Sequence, residues 1–70
     1  MTETELAQAV RLRQDFPGWV VLTDDYGFTG RRRVHGIPES YGPHSALVLR
    51  SHLMNAEVGD VFAEVLARSA

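Results

Sequence analysis

Apolar positions in the first sixteen residues recur at helical spacing. Leu6, Ala9, Val10, Leu12 and Phe16 share one arc of a wheel, with Gln8, Arg11 and Asp15 opposite. Thr2 precedes Glu5 at the capping-box interval, so a first helix is expected to open there. Pro17-Gly18 closes it, because proline lacks a backbone donor and drives Phe16 out of helical geometry. Trp19 then anchors the helix–strand corner as a core residue. Arg13 falls inside the apolar arc; its stem is expected to cover apolar surface while the guanidinium reaches water.

The pattern next changes to runs of β-branched residues. Residues 19–23 read as a strand that is apolar on both faces, as in a central or doubly covered strand. Asp24-Asp25-Tyr26-Gly27 reads as a turn, and residues 28–35 as an antiparallel return strand. Alternation sets Phe28, Gly30, Arg32 and Val34 on one face, and Thr29, Arg31, Arg33 and His35 on a polar, outward one. Two prolines and two glycines make residues 36–44 an expected loop. Residues 45–50 read as a third strand. A final helix, beginning at Asn55 or near Ser51, carries Met54, Val58, Val61, Phe62, Val65 and Leu66 at helical spacing. The fold class expected is α+β: helix, three-stranded antiparallel sheet, helix (αβββα), with both helices packed on one sheet face through their apolar stripes and the arginine-bearing side left wet.

Seventy residues make one domain, 1–70, with little core to spare. Cysteine is absent, so neither a disulfide nor a thiolate metal cage compensates. Very regular packing, a bound partner or self-association are the remedies left open, and of these a homodimer is expected. An acidic start and short apolar runs predict a cytoplasmic chain with no membrane partner. All seven basic residues are arginine, as a high-GC bacterial genome would produce. Four of them lie within residues 31–50, beside Glu39 alone, so a net charge of −2 conceals a basic middle.

That middle supplies the candidate contact residues: Arg31, Arg33, His35, Tyr41 and Arg50. Guanidinium groups bind carboxylate and phosphate bidentately, and tyrosine gives contact area at low entropic cost. His35, His44 and His52 lack metal-ligand spacing, so no metal and no cofactor are expected. Asp24 and Asp25 are turn-capping residues, and no nucleophile lies beside an obvious base, so no catalytic residue is assigned.

The segment Leu12-Arg13-Gln14-Asp15-Phe16-Pro17-Gly18-Trp19 resembles a Leu-Arg-x-x-Phe-Pro-Gly-Trp signature of small actinobacterial proteins. These continue with a short hairpin and a closing helix. Members of that group carry further tryptophans in the second strand, where this chain has Phe28-Thr29-Gly30 and three arginines. The resemblance implies a high-GC, cytoplasmic origin and brings no activity. The order of elements also resembles the double-stranded RNA-binding domain. That domain has a basic cluster near the start of its last helix, where Glu57 and Asp60 stand here, so the likeness stops at topology.

The function expected is a non-enzymatic interaction or regulatory module, self-associating or bound to another protein. A nucleic-acid-binding regulator using the Arg31–Arg33 strand is the alternative, disfavoured by the negative net charge. A small-ligand binder or minor enzyme at the 36–44 loop is the third reading.

Overall fold

The computed structural model describes residues 2–69. Helix α1 (Glu3–Asp15) begins where Thr2 Oγ1 accepts the Glu5 backbone N–H at 3.1 Å, and ends as the Phe16 N–H donates to Leu12 O. Strands β1 (Val20–Asp24), β2 (Gly27–Val34) and β3 (Ile37–His44) follow, then helix α2 (Ala46–Ser69). The strands form one antiparallel sheet in the order β1-β2-β3, and both helices lie on the same face of it. The expected αβββα architecture is therefore present.

Several sequence expectations are corrected. Residues 36–44 are not a loop, since β3 runs from Ile37 to His44. As an edge strand it leaves one side of its backbone unpaired, and there Pro38 and Pro43 are tolerated. The hairpin needs only His35 and Gly36 as its turn, with φ of +52° and +79°, the left-handed pair of a tight two-residue connection. His35 thus belongs to the turn rather than to the return strand.

Residues 45–50 are not a strand either. Ser45 Oγ accepts the Val48 N–H at 3.3 Å and Ser45 O accepts from Leu49, which starts α2 at Ala46. A four-residue apolar run reads equally as strand or buried helix, and here Leu49 and Leu53, one turn apart, settle it by packing.

One core joins the layers: Ala9, Leu12, Phe16, Trp19, Val21, Phe28, Leu49 and Leu53. Gly30 makes this possible, because a Cβ there would lie 2.9 Å from a Leu53 methyl. At that point α2 sits directly on the sheet. β1 proves to be an edge strand, with Val20 and Leu22 on the open face. Arg13 covers its free margin, donating from Nε and Nη2 to Val21 O at 3.3 and 2.9 Å.

Candidate functional site

The alternation of β2 divides the arginine trio by function. Arg31 and Arg33 point outward, Arg31 between Val20 and Ser40 in register and Arg33 beside Pro38. Arg33 donates to Gly36 O at 3.2 Å, while Arg31 has no hydrogen bond or ion pair among the described residues. Arg32 points inward. Its guanidinium lies 4.3 Å from the Trp19 ring centroid and bridges Glu39, at 3.0 Å, and Asp60 of α2. Asp60 accordingly titrates below the ordinary carboxylate value, chiefly through its hydrogen bond from Arg32. The same ion pairs raise Arg32. One of the three arginines is thus a clamp between β2, β3 and α2.

The remaining candidate residues do not converge. Tyr41 is on the inner face, tilted against Trp19 with ring centroids 5.7 Å apart and stacked on His52 at 5.5 Å. Its ring is packing material, although its hydroxyl reaches Glu39 at 3.5 Å. Arg50 pairs with Asp15 at 2.7 Å and lies over the Phe16 ring, tying α2 to the end of α1. That hydrogen bond, with a smaller contribution from Arg11, holds the Asp15 carboxyl below its ordinary range. His35 is exposed in the hairpin turn. Of these candidates only Arg31 and Arg33 share a surface, a shallow groove that Val20, Arg32, Pro38, Glu39 and Ser40 also line. Residues 36–44, expected as a ligand loop, instead form the hairpin's end and strand β3.

His44 and His52 stack at 4.7 Å, and no three His, Asp or Glu side chains gather into a metal-binding group among the described residues.

The larger surface lies on α2, and it corrects an expectation: the apolar stripe that periodicity marks does not pack on the sheet but is turned away from it. Met54, Val58, Val61, Phe62, Val65 and Leu66 are between 53% and 66% exposed. Helical geometry explains why. Leu49, Leu53 and Ala56, at three- and four-residue intervals, face the core, and Asp60 follows them to Arg32. Ala63 and Ala67 continue that line opposite Val34 and His35. The large apolar side chains therefore lie on the far side of the helix, pointing away from the sheet. No helix of the described residues is long and apolar enough to cross a membrane.

Comparison with family models, with curated proteins and with solved structures finds no match.

Proposed function

We propose that this chain is a non-enzymatic protein-interaction module whose working surface is the outward face of α2. The observation that carries this reading is the six-residue apolar stripe turned away from the one core found among the described residues. Ordinary monomers seldom expose a contiguous apolar patch beyond a few hundred Å². The groups with displaced titration, Asp15, Arg32 and Asp60, are each accounted for by structural ion pairs, which favours binding over catalysis.

The nucleic-acid alternative loses support because Arg32 and Arg50 are committed to carboxylates of the chain itself. Two outward arginines on a chain of net charge −2 give a weak phosphate-binding surface.

Affinity purification of a tagged chain from its host tests the reading. Bound protein, further copies of the chain included, should survive high salt and be released by Val61→Glu, while the double variant Arg31→Ala/Arg33→Ala keeps it. The opposite dependence, with salt releasing the partner and the arginine variant losing it, would overturn the proposal.

A further inference from the structure

On that reading of α2, we infer that the occupant of its outward face is a second copy of this chain, the two α2 helices pairing in parallel as a short coiled coil. Leu47, Ser51, Met54, Val58, Val61 and Val65 succeed one another in alternating steps of four and three residues. That is the repeat of a two-helix seam. Leu49, Leu53, Ala56, Asp60, Ala63 and Ala67 fill the two positions of the same repeat farthest from the seam, and these are the residues turned to the chain's own sheet. One helix thus presents two faces; its own fold covers one of them as far as Ala56, and from Val58 to Ser69 the helix is exposed all round.

The area suffices. At ~100 Å² each, the exposed seam residues Leu47, Met54, Val58, Val61 and Val65, with Phe62 beside them, offer ~600 Å² per copy, so their full burial in two copies passes the ~1,000 Å² of total burial that marks a specific interface. The seam from Met54 to Val65 carries no charged residue, which suits a copy of itself and gives a charge-selected partner no handle. A lipid surface fits poorly, because the polar flank carries Glu57, Asp60 and Glu64 where anionic lipid would call for bases. Valine at Val58 and Val65, with Leu47 and Met54 at the alternate seam position, matches the two-strand pattern, and Val61 at that alternate position is its one departure.

Charge also selects the direction. In a parallel pair, Glu57 and Glu64 of one helix flank Phe62 and Ser69 of the other, which are uncharged. In the antiparallel register that overlaps Met54–Val65 fully, Glu57 would face Glu64 of the other copy, twice. Because the sheet lies opposite the seam, two copies side by side keep their sheets apart, on the outer sides of the pair.

Sedimentation equilibrium over a rising concentration series should give a mass approaching twice the 7.8 kDa of one chain. Val61→Glu should return it to the single-chain mass, with Trp19 fluorescence unchanged because that ring is in the core. The chain has no cysteine, so Met54→Cys alone should form an inter-chain disulfide under mild oxidation. If Met54→Cys does not link to itself but links to Val65→Cys in a mixture, the parallel pairing is overturned. If the purified chain keeps the single-chain mass throughout while Val61→Glu still releases bound protein from the host, self-pairing falls and the α2 surface stands. If Val61→Glu alters neither measurement, both fall.

Discussion

Gly30 is the residue on which the docking of α2 depends. It lies in the middle strand beneath Leu49 and Leu53, both fully buried. Gly30→Val must push Leu53 out of a filled core, and overpacking of this kind costs about 1–3 kcal/mol. A matching fall in the urea midpoint is expected. Gly18→Ala is the control, since the space around Gly18 is open and the change should stay within about 1 kcal/mol. The arginines are equally unequal. Arg31→Ala and Arg33→Ala should each shift stability by no more than about 0.5 kcal/mol, as substitutions at exposed surface positions do. Arg32→Ala should cost clearly more in the same denaturation series, because it removes the Trp19 contact and leaves Glu39 and Asp60 facing one another without their cation.

At the scale of elements, what could be read from the chain followed from how local the cause was. Thr2, Pro17 and the Asp24–Gly27 turn act through their nearest neighbours. Asp24 Oδ1 accepts the N–H groups of Tyr26 and Gly27 at 2.7 and 3.1 Å, so α1, β1 and the first hairpin were legible. The inward set Phe28, Gly30, Arg32 and Val34 was legible too, because alternation along β2 needs no tertiary knowledge. β3 was not. Its Pro38, Gly42 and Pro43 are loop-forming residues by local preference, and only the place at the sheet edge permits them in a strand. Ser45 might have revealed the start of α2, since a serine cap before Leu49 and Leu53 at four-residue spacing is a helical signal. Of the candidate contact residues, Arg31 and Arg33 were placed on the correct outward face, whereas Tyr41 and Arg50 act inside the fold. The α2 stripe is the reverse of the expected one: periodicity reveals a face without saying what lies opposite it, and the smaller set Leu49, Leu53 and Ala56 takes the sheet-facing side.

Across the whole molecule, two ion-pair clusters tie distant parts of the chain together: Arg50–Asp15 between the helices, and Arg32 with Glu39 and Asp60 between sheet and α2. Both depend on ionised carboxylates. Asp15 and Asp60 titrate lower in the fold than the ordinary 3.8 they regain on unfolding. Their contribution is therefore complete above that value and is lost as pH falls through the folded values. Melting temperature should be insensitive to these groups from about pH 7 to about pH 5 and decline below about pH 4. Asp60→Asn should lower the plateau and make the acid decline shallower, as followed by circular dichroism.

The sheet, by contrast, has little means of growing. Arg13 occupies an acceptor along the outer margin of β1, and Pro38 and Pro43 remove donors from β3 at the opposite side. A fourth strand arriving from a neighbour would find a blocked carbonyl at one border and missing amides at the other. Crowded solutions of this protein should accordingly resist fibrous polymerisation, and any finite assembly is steered toward its helices.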